Sequence, residues 1–131
     1  MIKVFPDKER AHSIFKMALS RETFVIDLRK VNAPATLIAE TYYEVLKELC
    51  VAIALKEGYK SVGENAHKDV IDFVKKYGLT DYELSVVQDL RLRRNKSSYE
   101  GKPIENFYLD SALPALLTII EKLKDIFTRI P

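Results

Sequence analysis

At 131 residues the chain is long enough for one domain with a substantial core. Hydrophobic residues make up 47% and charged residues 31%, the balance of a soluble globular protein. Its 21 basic and 19 acidic residues leave a net charge of +2, so global charge does not argue for nucleic acid and any anion site must be local. No apolar run approaches the ~20 residues that span a bilayer. The opening MIKVFPDKER lacks the apolar stretch of a signal peptide. A cytoplasmic location without membrane association is therefore expected. Cys50 is the lone cysteine and lies in the apolar run Leu49–Ala54, where it reads as a small core residue.

The pattern is helical almost throughout. Asp7, after Pro6, is a good N-cap for a first helix whose inward face is Ala11, Ile14, Phe15, Ala18, Val25 and Leu28. Ser20 is a place where this helix could break. Val31-Asn32-Ala33 reads as a turn, and Pro34 suits the first turn of a second helix reaching about Tyr59. Ile38, Tyr42, Val45, Leu46, Leu49 and Ile53 give it a 3.6-residue period. A third helix covers roughly Glu64 to Tyr77, with Val70, Phe73, Val74 and Tyr77 as its stripe and Gly78 after its end.

Thr80-Asp81-Tyr82-Glu83 reads as a capping box opening a fourth helix, which should fray near Tyr99–Gly101 before the turn at Pro103. The last helix spans about Ile104 to Ile130, with Leu116, Ile119, Ile120, Leu123 and Phe127 inward. Pro114 either kinks it or starts a new helix. Alternation of period two is nowhere sustained, so no strand is expected. The sum is an all-α fold, an antiparallel up-and-down bundle of four to five helices forming a single domain over residues 1–131.

One residue breaks the pattern. Leu84, Val86, Val87 and Leu90 form an apolar arc on the fourth helix, and Arg94 follows Val87 by seven residues. At ~100° per residue its side chain projects within ~20° of Val87. Arginine is rarely buried without a partner. Arg94 therefore either snorkels past the core or faces a groove that needs a fixed positive charge. Arg91, Asn95 and Tyr99 share one face at i, i+4, i+8. Arg93, Lys96 and Lys102 add charge, although basic residues near a helix C-terminus also simply complement the macrodipole.

Other chemistry is sparse. His67 is the remaining acid–base candidate, beside the plain reading of a structural histidine. His12 has no cluster around it. Two isolated histidines without HExxH or CxxC spacing leave no metal site, and no phosphate-loop or dinucleotide glycine pattern is present, so no cofactor is expected. Glu40 and Glu44, at i, i+4, read as a solvated face that could also face a groove or orient an arginine.

Three segments, Ala39–Gly58 (AETYYEVLKELCVAIALKEG), Gly63–Val74 (GENAHKDVIDFV) and Leu92–Gly101 (LRRNKSSYEG), resemble in order and spacing the HEPN family of helical nucleotide- and RNA-associated bundles. The last is similar to the family signature of an arginine, a polar residue and, after four to six residues, a histidine. Counting from Arg94, those positions hold Tyr99, Glu100 and Gly101, so the arginine is present and the histidine is not.

The resemblance implies a homodimer whose two signatures meet across a two-fold axis, and a small nucleotidyltransferase partner in a toxin–antitoxin type module. It assigns Arg94, Asn95 and Tyr99 to the catalytic positions of a metal-independent endoribonuclease, with Arg91, Arg94, Lys96 and Lys102 as phosphate ligands. A tyrosine, with a reference pKa near ~10, is a poor general base but can donate to phosphate or stack on a base. The expectation is therefore RNA or nucleotide phosphate binding, with ribonuclease chemistry weak or absent. The alternative is a non-catalytic helical subunit for interaction or substrate binding in a nucleotidyltransferase, with Arg94 paired to Glu44 or Glu40.

Overall fold

Asp7 accepts a hydrogen bond from the Arg10 amide at 3.0 Å and so caps the first helix, α1, Lys8–Lys30. The computed structural model describes every residue from Met1 to Pro131. α1 passes Ser20 without a break, because the Ser20 hydroxyl bonds the helix's own Lys16 carbonyl instead of diverting the backbone. Asn32 takes the left-handed conformation (φ 53°) that turns the chain, and the Ala33 amide closes the turn on the Leu28 carbonyl. Pro34 sits one place earlier than expected. It is the extended N-cap (ψ 139°), and α2 runs Ala35–Glu57.

α2 is the central element: 14 of its 23 residues are buried, a helix apolar nearly all round, as an enclosed helix must be. α1 lies against it through Ala11, Ala18 and Val25, one buried residue every seven, with small side chains that permit a close approach. Gly58 ends α2 at φ 87°. A Cβ there would stand 2.9 Å from the Val4 carbonyl oxygen, so glycine is required by space as well as by conformation.

That close approach produces the one departure from an all-helical reading. β1 (Ile2–Lys3) pairs antiparallel with β2 (Tyr59–Lys60), and the Val4 amide bonds the Gly58 carbonyl at 2.8 Å. Two residues per strand are too few to leave an alternating pattern in the sequence.

α3 is shorter than expected. It covers Ala66–Phe73 and tightens into a 3₁₀ turn over Val74–Tyr77. Thr80 and Glu83 make the full reciprocal capping box of α4, Asp81–Glu100. α4 stays helical through Tyr99 and stops at Gly101 (φ 68°), whose amide bonds the Ser97 carbonyl. α5 runs unbroken from Asn106 to Arg129 with Pro114 inside it, so no new helix begins there. Thr36 joins the α4–α5 connection to the head of α2, its hydroxyl accepting from the Ile104 amide at 2.8 Å. The result is an all-α antiparallel bundle of five helices around one contiguous core drawn from all of them. No helix is long and apolar enough to cross a membrane.

Candidate functional site

α2 is covered on most sides, but Glu40, Glu44, Lys47 and Val51 stay partly exposed. Their +4, +3, +4 spacing makes a single stripe. Over it lie α1 on one side and α3 and α4 on the other. A groove of about 470 Å³ opens along the stripe between α1 and α4, lined by Arg21, Phe24, Leu37, Glu40, Glu44 and Arg94 among others. Glu40 and Glu44 thus face the groove rather than a plain solvated surface.

Arg94 reaches the groove because the apolar arc ends beneath it. Val87 and Leu90 are buried, Leu84 and Val86 half-buried, and the Arg94 side chain keeps 23% of its surface exposed. Its nearest acid is Glu44 at 3.6 Å, too long for a hydrogen bond. Glu44 is itself committed to Lys47 at 2.7 Å. The guanidinium also lies 5.6 Å from the centre of the Tyr43 ring, a distance at which the ring face attracts a cation. Arg94 is thus steered by an acid and an aromatic ring, and its donors are left open.

Tyr43 carries the site across to α3. Its ring is fully buried, and its hydroxyl meets Nδ1 of His67 at 3.2 Å. Burial drives the Tyr43 phenol far above its ordinary pKa, against the pull of Arg94 and Arg91. The His67 imidazole is held below its ordinary value, by burial first and then by Lys47, Arg94 and Arg91, with Glu44 opposing. It is therefore neutral at pH 7. Arg91 gives its Nε to Gln88 at 2.7 Å, and Gln88 is in turn anchored to α3 by the Lys68 carbonyl and the Asp72 carboxylate.

The residues singled out by the resemblance are only partly brought together. Arg91 and Arg94 share the site with Glu44, Tyr43 and His67. Lys96 and Lys102 do not. They line a separate hollow of about 270 Å³ with Asp89, Arg93 and Pro103, and Lys102 pairs with Glu100 at 3.7 Å. Two residues along a helix turn the chain through ~200°, which places Lys96 on the far side from Arg94. Arg93 points the same way, bonded to Asp89 at 2.9 Å and stacked 4.0 Å over Tyr108. Asn95 is half-buried beside Arg94 in the chain, while Tyr99 is 80% exposed and ~140° around the helix from Arg94.

Lys47 was missed from sequence, and His67 was met only as an isolated histidine. Its signal was indirect: a histidine one helix away from the paired tyrosines Tyr42-Tyr43. No group of three or more His, Cys, Asp or Glu side chains converges to hold a metal ion. No protein-family model, no curated protein and no solved structure matches the chain.

Proposed function

We propose that the protein is a HEPN-like helical bundle that binds RNA or nucleotide phosphate at Arg94, as part of a nucleotidyltransferase-associated, toxin–antitoxin type module. The observation that supports it most is the state of Arg94: a fixed cation at the rim of the groove between α1 and α4, with its nearest acid at 3.6 Å. A guanidinium with open donors is well suited to the tetrahedral oxygens of phosphate. Ribonuclease activity is not part of this reading. Tyr99 is 80% exposed, and a phenol is a weak proton acceptor.

A homodimer and a small nucleotidyltransferase partner belong to the same proposal. The second reading, a subunit that binds protein or substrate for such an enzyme without a phosphate site of its own, draws on the apolar flank of the groove. Phe24 is 55% and Leu37 51% exposed there.

RNA binding followed by fluorescence anisotropy tests the first reading. Arg94→Ala should weaken binding about tenfold, the scale of one charge-assisted hydrogen bond. Arg93→Ala, which removes a cation of the other hollow, should change it far less. Equal losses from the two would leave only diffuse charge and reject the site.

A further inference from the structure

His67 from α3 meets the buried Tyr43 phenol of α2 at 3.2 Å, and Arg94 from α4 lies 5.6 Å from the Tyr43 ring. Lys47 from α2 shares Glu44 with Arg94, and Arg91 sits one turn before Arg94 on α4. We propose that Lys47, His67, Arg91 and Arg94 form a binding site for a terminal phosphomonoester, the phosphate at the end of an RNA or on a free nucleotide. The inference rests on the phosphate-binding reading above and narrows it to one ligand chemistry.

Charge selects the ester. Lys47, Arg91 and Arg94 supply three positive charges, and Glu44, bonded to Lys47 at 2.7 Å and 3.6 Å from Arg94, removes one. A phosphodiester within a strand brings a single negative charge, whereas a monoester carries about −1.5 to −2 at pH 7 and three acceptor oxygens. Around Lys47 and His67 the surplus of two cations matches the monoester; Glu40 lies one helical turn beyond Glu44, on the side away from Lys47.

Hydrogen-bond supply points the same way. The Arg94 guanidinium has no partner at bonding distance. Arg91 commits only its Nε, to Gln88, which leaves its two terminal nitrogens free. Each can present the paired donors that phosphate oxygens accept.

His67 adds a donor rather than a base. The Tyr43 hydroxyl, buried and strongly held in its protonated form, has His67 Nδ1 as its one hydrogen-bonding partner. We assign the phenol as donor to Nδ1, because a buried O–H otherwise goes unsatisfied. The proton of the neutral ring then lies on Nε2, which is free to donate to a ligand oxygen.

Protonation strengthens the grip. The groups that face His67 are Tyr43, Glu44 and Lys47 from α2 and Arg91 and Arg94 from α4. Arg10 of α1 and Lys60 of β2 lie across the cleft on its other side. Burial first, and then the excess of cations, keep the ring neutral in the free protein. A dianion placed among them reverses the balance and draws a second proton onto the ring at Nδ1, which then donates to the Tyr43 hydroxyl oxygen.

The test compares single-stranded oligoribonucleotides of one sequence carrying a 5′-phosphate, a 3′-phosphate or only hydroxyl ends, with AMP and adenosine as competitors, on the intact chain. A phosphorylated end should bind about tenfold or more tightly than a hydroxyl end. AMP should compete and adenosine should not. Direct binding of AMP, measured by calorimetry, with no RNA bound identifies a free nucleotide as the source of the phosphate. A preference among the RNAs identifies the strand end.

His67→Gln and Lys47→Ala should each shrink the ratio of phosphorylated to hydroxyl affinity, whereas Lys68→Ala, on the same helix as His67, should not. His67→Gln should also flatten the rise of that ratio between about pH 8 and pH 6.5. The phosphate's own ionisation is common to both proteins and cancels in the comparison. Equal affinity for phosphorylated and hydroxyl RNA would overturn this inference and leave phosphodiester binding standing. Failure of every RNA and nucleotide to bind would overturn both.

Discussion

Lys56 at the foot of α2 and Arg94 on α4 both set a cation against the bundle, and the chain treats them in opposite ways. Lys56 is 8% exposed. Its ammonium donates to the Phe127 carbonyl at 2.7 Å near the end of α5 and lies 4.3 Å from the centre of the Phe127 ring. That ring is stacked at 4.2 Å on Phe15 and edged by His12. The charge completes the C-terminal end of a helix, where carbonyls lack amide partners. Arg94 keeps 23% of its surface exposed and makes only a long ion pair with Glu44, at 3.6 Å. One cation is consumed by the fold and the other is held in reserve. A buried or half-buried charge therefore signals function only when its hydrogen bonds are left over.

Four substitutions or conditions break or sharpen this contrast. The largest effect is expected at the closed end. Phe127→Ala removes a fully buried ring and its stack on Phe15, and should cost about 3–5 kcal/mol in chemical denaturation. Lys56→Met keeps the aliphatic stem but orphans the Phe127 carbonyl, with an expected loss of about 1–3 kcal/mol by the same measurement. At the open end, Arg94→Ala should change stability by less than about 1 kcal/mol, as for other long, partly exposed ion pairs. Its effect should instead fall on ligand binding. A stability loss as large as that of Lys56→Met would mean that Arg94 is structural and would erase the distinction.

The smallest effect is a pH dependence. His67 has a folded pKa below its unfolded value of 6.5, so the unfolded chain binds the extra proton more readily. Stability should be full above about pH 6.5 and decline as pH falls through the folded value. The ring is partly exposed, so the decline should be slight. Thermal unfolding at a series of pH values, repeated on His67→Gln, should show the dip in the parent protein only.

The bundle was legible because its determinants are local. The Thr80/Glu83 capping box, the Asp7 cap, the turn at Asn32 and the period of α2 lie within a few residues of the structures they form. The unusual place of Arg94 followed from helical geometry alone, and Glu44 was among the two acids foreseen as its partner. The same geometry already separates Lys96 from Arg94, but a run of basic residues reads as one cluster until the helix is wound. The Tyr43–His67 pairing spans 24 residues and joins two packed helices, and no spacing rule encodes it. The β1–β2 clip was invisible for a related reason: two-residue strands carry no period, and their partner was fixed by the space around Gly58.

Cys50 sits one helical turn from Lys47, 1% exposed, its thiol pushed up to about 12 by burial. A maleimide or a spin label has neither access to the sulfur nor a thiolate to attack. The native sequence is thus already silent toward such reagents. One cysteine introduced on the α4 surface, at Ser98 for example, becomes the sole attachment point for a reporter, with no need to engineer the original thiol away.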